Sequence, residues 1–124
     1  MILLYAVVIS IIICLITLLG LLTKVAPLIE VAIGNNNYYR GEYGQAIVNY
    51  IHVLGQDELD PFIHYNLGNV YKALGETEAA MDTLKLALKG TDTELAFRTH
   101  FNLGNIYYEL GDYKNAGFHF RESL

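Results

Sequence analysis

Four series of residues recur along this chain at the same two spacings. Gly34, Gly68 and Gly104 form the first, and Gly41, Gly75 and Gly111 the second; Ala46, Ala80 and Ala116 follow in step, as do Leu54, Leu88 and Leu124. Each series advances by 34 residues and then by 36. The stretch "YNLGNVYKALGETEAA" at 65–80 is restated as "FNLGNIYYELGDYKNA" at 101–116. A period of this length means one supersecondary unit written three times, each burying its apolar face on the next. Within a unit the apolar residues follow helical periodicity, and strand-like alternation is absent over any useful length. Small residues at 34, 68 and 104 let a helix approach its partner, and the alanines do the same from the second helix. Glycine at 41, 75 and 111 suits a left-handed helix end, where a Cβ is penalised. The two extra residues of the second interval fall near "KGTDTEL", a polar connection in which added length costs little.

Residues 1–23 belong to a different solvent. They hold no charge and no His, and fifteen of the twenty-one residues 2–22 are Ile, Leu or Val. At a rise of about 1.5 Å per residue, such a helix spans roughly the 30 Å core of a bilayer. The competing readings are a buried soluble helix and a cleaved signal peptide. The latter normally has a basic start, an apolar run of about 7–15 residues and a small-x-small end; here no Lys or Arg precedes the run, and Pro27 follows its nearest small residue, Ala26. Residues 1–23 are therefore expected to be a retained anchor, 24–26 a short juxtamembrane linker, and 27–124 a single domain. Its units run over about 27–60, 61–96 and 97–124, with helices beginning at Pro27 and Pro61, where a missing N–H is harmless.

All thirteen acidic and eight basic residues lie beyond the anchor, for a net charge of −5. No basic stripe exists to neutralise phosphates, so nucleic acid is not an expected partner. The single cysteine, Cys14, excludes an intrachain disulfide. His52, His64, His100 and His119 stand apart from one another in sequence and read as packing residues, not metal ligands. No phosphate loop, nucleophile elbow or paired-carboxylate motif is present. An enzyme is not expected, nor a cofactor.

The pattern resembles the tetratricopeptide repeat (TPR), a helix-turn-helix unit of 34 residues. Leu67, Gly68, Tyr71, Gly75, Ala80, Leu84 and Ala87 match its signature, and Leu103, Gly104, Tyr107, Gly111, Ala116 and Phe120 repeat the match. Ile33, Gly34, Gly41, Ala46 and Tyr50 fit the first unit, which departs from the pattern at Asn37, where an aromatic is usual. With the apolar segment read as an anchor, the resemblance over 27–124 implies an all-α chain: one N-terminal transmembrane helix, then a TPR-type α-solenoid of three helix-turn-helix repeats. It also implies a protein-interaction module whose first helices line a concave groove.

In such a groove the residue after the small glycine faces the ligand. Here it is Asn35, Asn69 and Asn105, one per repeat, and an amide both donates and accepts hydrogen bonds to an extended peptide. The flanking positions hold Val31, Tyr65 and Phe101 before, and Tyr38, Lys72 and Tyr108 after. The expected surface is aromatic and mostly uncharged, suited to apolar anchors. TPR domains that clamp an acidic tail add Lys and Arg; Val31, Phe101 and Asn105 occupy those places, so an acidic tail is not the expected ligand. Asn66 and Asn102, on the same helices, have an alternative role in bonds between helices.

Two further surfaces are expected. A TPR stack usually closes with a polar-faced helix, whereas here Tyr113, Ala116, Gly117, Phe120 and Leu124 are left facing water, to be covered by a partner, a second copy or further chain. In the membrane helix, Ala6, Ser10, Cys14 and Thr17 share one face, small enough for another helix to approach. The partners are therefore other proteins, membrane proteins among them, and the bilayer through residues 2–22, with homo-oligomerisation an open possibility. A fixed subunit of a larger membrane complex is the alternative to a scaffold. An anchor followed at once by "NNNYYRGEYGQAIVNYIHVL" is also similar to small membrane TPR proteins of bacterial aerotolerance (Bat) operons, which implies a membrane-protein partner and a periplasmic repeat domain. Lys24 and Arg40 after the anchor argue for the cytoplasmic side instead.

Overall fold

The computed structural model describes residues 1–56, 60–90 and 92–124. The junction between the first two repeats at 57–59 and Thr91 of the "KGTDTEL" connection lie outside the described residues. Among the described residues six helices follow one another: α1 (Ile2–Tyr39), α2 (Tyr43–Leu54), α3 (Pro61–Leu74), α4 (Thr77–Ala87), α5 (Thr93–Glu109) and α6 (Tyr113–Glu122). They pair as three hairpins, α1/α2, α3/α4 and α5/α6, and each hairpin packs on the next. The chain is an all-helical solenoid of the TPR type, preceded by a long apolar helical extension.

The hairpin turns repeat one device. Gly41, Gly75 and Gly111 have φ of 76°, 78° and 77°. At the middle one, the Gly75 amide donates to the Lys72 carbonyl at 3.0 Å and the Glu76 amide to the Tyr71 carbonyl at 2.9 Å. This double closure satisfies carbonyls that the helix end would otherwise strand, and it needs a left-handed residue. Helix starts are capped where the sequence allows. The Asp60 carboxylate accepts from the amides of Phe62 and Ile63, with Pro61 as first helical residue, and Asp92 accepts from Leu95 at 2.8 Å.

Close approach within each hairpin occurs at the first glycine series. A Cβ built on Gly34 would meet the Tyr50 ring at 2.8 Å, one on Gly68 would meet Leu84 Cγ at 2.7 Å, and one on Gly104 would meet the Phe120 ring at 2.7 Å. Between hairpins, Ala46, Tyr50 and Val53 of α2 form one buried cluster with Ile63, Leu67 and Val70 of α3. Ala80 and Leu84 of α4 do the same with Leu103 and Ile106 of α5.

Pro27 does not start a helix. α1 runs through it without a break, and residues 24–26 are helical. Pro61 follows Asp60, which caps; Pro27 follows Lys24, Val25 and Ala26, none of which offers a capping oxygen. With no stop signal the helix continues, although an interior proline forfeits a bond and costs about 3 kcal/mol in water. Residues 1–26 are all exposed, so nothing in the described chain buries the apolar run. By length and composition, α1 contains a segment able to cross a membrane.

Candidate interaction groove

The amides of the first helices form a ladder from hairpin to hairpin. Asn66 Nδ2 donates to Asn35 Oδ1 at 3.2 Å, and Asn102 Nδ2 donates to Asn69 Oδ1 at 2.7 Å. Asn102 also reaches Tyr65 Oη at 3.4 Å. Asn35 Oδ1 takes a second bond, from Tyr50 Oη at 2.7 Å. Asn66 and Asn102 thus serve the stacking of helices. Asn35 and Asn69 have their carbonyl oxygens committed to that stacking, which leaves their N–H groups for a ligand.

Around the ladder the expected residues come together in adjoining recesses. One, of about 260 Å³, is lined by Asn35, Tyr38, Tyr39, Tyr50, Tyr65, Asn66, Asn69 and Arg98. Another, of about 460 Å³, is lined by Tyr38, Tyr65, Asn69, Lys72, Ala73 and Asn102. Phe101 joins Arg98 and Tyr65 in a third. Asn105 and Tyr108 are not among the residues lining these recesses, and Val31 packs into the first core cluster. The lining is phenol, amide and cation more than bare hydrocarbon. Arg98 is the residue missed in the sequence: it lies four residues before Asn102, one turn away on the same helix face. Its guanidinium meets Glu94 at 2.6 Å with both side chains largely exposed, a surface pair of small worth that a ligand can displace.

The last hairpin differs from expectation in two places. Ala116 is buried and Phe120 half-buried, lying over Gly104 and against Phe101 with ring centroids 6.0 Å apart. They occupy the places of Ala46 and Tyr50, and of Ala80 and Leu84, so they turn inward to α5; Tyr113 and Leu124 are exposed as expected.

His100 and His119 are not isolated either: their Nδ1 atoms lie 2.8 Å apart across α5 and α6. The same slot in the first hairpin joins Glu30 to Asn49 at 2.8 Å, with His52 at 3.6 Å from Glu30. Positions 30/49 and 100/119 are each nineteen apart, a separation that a hairpin brings together and a search for short ligand spacings passes over. The His119 ring stacks on Tyr107 with centroids 5.3 Å apart, and among the described residues no third His, Cys, Asp or Glu completes a metal-ligand set. Burial pushes the His119 pKa down, and the charges of His100 and Lys85 add to this against Glu122. A base held below its ordinary value binds its proton more readily in the unfolded chain. Stability is therefore full above about pH 6.5 and falls as pH drops toward the folded value. His119→Asn, the residue found at the equivalent position 49, is expected to flatten that acid-side loss in denaturant melts at pH 7.5 and 5.0. An unchanged slope would remove the pair from the explanation.

On the face of α1 that carries Ala6, Ser10, Cys14 and Thr17, Ser10 Oγ donates to the Ala6 carbonyl and Thr17 Oγ1 to the Cys14 carbonyl, each at 2.9 Å. These hydroxyls are satisfied by their own helix.

Models of the TPR repeat match residues 34–75, and models of the tetratricopeptide repeat match 63–89 and 97–124. No curated protein matches the sequence. Among solved structures, MamA superposes with a TM-score of 0.73 at 20% identity over 79% of this chain, which spans 56% of MamA. The N-terminal domain of stress-induced protein-1 from C. elegans gives 0.72 at 21% over 80% of this chain and 82% of its own. The first TPR of Spaghetti (RPAP3), bound to the HSP90 peptide SRMEEVD, gives 0.72 at 20% over 79% and 76%.

Proposed function

Tetratricopeptide repeats build this chain from residue 34 onward, and from that premise we propose that it is a membrane-anchored interaction module that holds an extended segment of a partner protein in the groove of α1, α3 and α5. The single observation carrying this reading is the row of recesses in which Asn35, Asn69, Tyr38, Tyr65, Lys72 and Arg98 converge. Amide N–H groups and phenols can follow a peptide backbone, and two cations supply the groove's charge. The partner's segment is therefore polar or mildly acidic with aromatic-compatible side chains, more polar than the residue pattern alone implies. The first TPR of Spaghetti (RPAP3), which has the same fold, is bound to the peptide SRMEEVD, and that supports the mode at the level of architecture.

Residues 2–22 anchor the module in the bilayer, with the repeats following directly because α1 is continuous. The similarity to the aerotolerance-operon proteins further proposes a membrane-protein partner and a periplasmic domain. Ala6, Ser10, Cys14 and Thr17 offer a second contact for a membrane helix, by close packing. The alternative role is that of a fixed subunit of a membrane complex.

A photo-crosslinking residue at Tyr38 tests the groove in native membranes. It is expected to yield a discrete adduct that one at Leu86, exposed on α4, does not. Lys72→Ala with Arg98→Ala should weaken that adduct about tenfold without changing the melting profile, since both sites are surface positions. Equal adducts from the two positions would end the groove assignment. Co-purification that survives detergent and sizing would favour the fixed subunit.

A further inference from the structure

A first helix turns one face toward whatever stands before it in the stack. In α3 and α5 that face lies on the preceding hairpin, through Ile63, Leu67 and Val70 and through Leu103 and Ile106. The same face of α1 carries Ile29 and Ile33, each 34 residues ahead of Ile63 and Leu67. It is open: Ile29 is 54% exposed and Ile33 44%, where Ile63 and Leu67 are at 1% and 5%. What stands before it is α1 itself, one helix from Ile2 to Tyr39. Exposed apolar side chains therefore run along that helix from Ile2 to Ile33, Leu28 and Ala32 among them, and this face turns polar at exposed Asn36 and Arg40. Over residues 2–33, at about 1.5 Å each, the run measures roughly 48 Å, about half as long again as a 30 Å bilayer core. An upright helix would hold Ile33 about 16 Å beyond Leu22, clear of a headgroup layer about 5–8 Å deep. At a tilt of about 40°, the upper end of the usual range, the core takes up the helix to about residue 27 and Ile33 enters the headgroup layer. The two charges of the run permit this. Lys24 can extend its stem to the headgroups, and Glu30 is turned to α2, where it accepts from Asn49. Pro27 lies on the opposite side of the helix, and the clash of its ring with the preceding turn leans a helix away from the proline side.

We propose that the free face of α1 lies on the bilayer, so that the repeats lean onto the lipid surface with Ile29 and Ile33 in the headgroup layer. Lipid then takes the place that a preceding hairpin takes for α3 and α5. The inference rests on the anchoring of residues 2–22 and adds how the anchored repeats are held. Lipid is the favoured occupant because the face continues the apolar helix without a break and turns polar where the lean carries it out of the headgroups. Chain ahead of Ile2 would start about 40 Å back along α1, across the bilayer and out of reach. Asn35, two residues and about 200° round the helix from Ile33, points away from the lipid, which leaves the groove open.

The chain has no tryptophan, so single-tryptophan variants of the full chain each report one place. Ile29→Trp and Ile33→Trp probe the face, Ile12→Trp the anchor, and Val48→Trp a site on α2 that is 62% exposed. All four are placed in nanodiscs of plain or acyl-brominated phosphatidylcholine. Bromine is expected to cause a loss of emission at 29, 33 and 12 and none at 48, and acrylamide to quench only at 48. Quenching at 29 and 33 by acrylamide, to the extent seen at 48, would put the face in water and overturn the proposal. Shielding at 29 and 33 from both quenchers would put a second copy there, and overturn it too. If bromine leaves the variant at 12 untouched, the anchored reading itself fails, and the proposal with it.

Discussion

Leu84→Ala is expected to destabilise the repeats by about 2–5 kcal/mol, the range for removing a fully buried leucine. Leu84 is wholly inaccessible and lies where α3, α4 and α5 meet, over Gly68 and against Leu103 and Ile106. Gly68→Ala acts at the same point from the other side. The new methyl would sit 2.7 Å from Leu84 Cγ and 3.3 Å from its backbone nitrogen. Overpacking costs about 1–3 kcal/mol, and replacing a helical glycine returns up to about 1 kcal/mol. A net loss of about 1–2 kcal/mol follows, because Cγ is a branch point held by α5 and cannot swing away. Combined, the two changes should cost less than their sum, since the methyl enters space that the leucine has left, with a coupling of about 0.5–3 kcal/mol. Gly104→Ala provides the contrast: its nearest neighbour is the ring of half-buried Phe120, which can turn toward solvent. Urea melts of the four variants decide this. Additive losses, or a Gly104→Ala as damaging as Gly68→Ala, would contradict the packing account.

That account was largely legible in the sequence, because a first helix comes closest to its partner at 34, 68 and 104 and glycine alone meets that approach without displacing the residue opposite, so the period is written in one residue type. Polar contacts were less legible. Asn35 and Asn69 were recognisable as a row, but that their oxygens are spent on Asn66 and Asn102 depends on helix crossing and not on spacing along one helix. His100 and His119 meet for the same reason. Arg98 escaped notice because it belongs to the groove only once α3 and α5 lie side by side. Pro27 misled through a local rule, that proline starts helices, which holds at Pro61 because Asp60 caps there. Ala116 and Phe120 could have been placed inward from their ladders alone.

Tyr50→Ala is expected to be the most damaging single change in the first hairpin, at about 3–5 kcal/mol. With total stabilities of about 5–15 kcal/mol for a domain, that loss is enough to free α1 from the stack. The ring is 1% exposed and lies over Gly34, while its hydroxyl donates to Asn35 Oδ1, which also receives Asn66. One side chain therefore ties together α1, α2 and the first rung to α3. Tyr50→Phe separates the two contributions. It keeps the ring and removes only the hydroxyl, at about 0.5–1.5 kcal/mol, because Asn35 still accepts from Asn66. The phenol also leaves a mark in alkali. Burial pushes the Tyr50 pKa up from 10.0 to about 12, with the charges of Tyr39 and Tyr38 adding to it. An acid held above its ordinary value gives up its proton more readily when unfolded, so its contribution is complete below pH 10 and is lost as pH rises through 12. Between those limits Tyr50→Phe should lose less stability than the parent, while both keep the smaller upward shift of Tyr38, which desolvation also causes. If the two chains decline in parallel from pH 9 to 12, the hydroxyl is not sealed under α1, and the link between the apolar helix and the groove would have to rest on Gly34 and the ring alone.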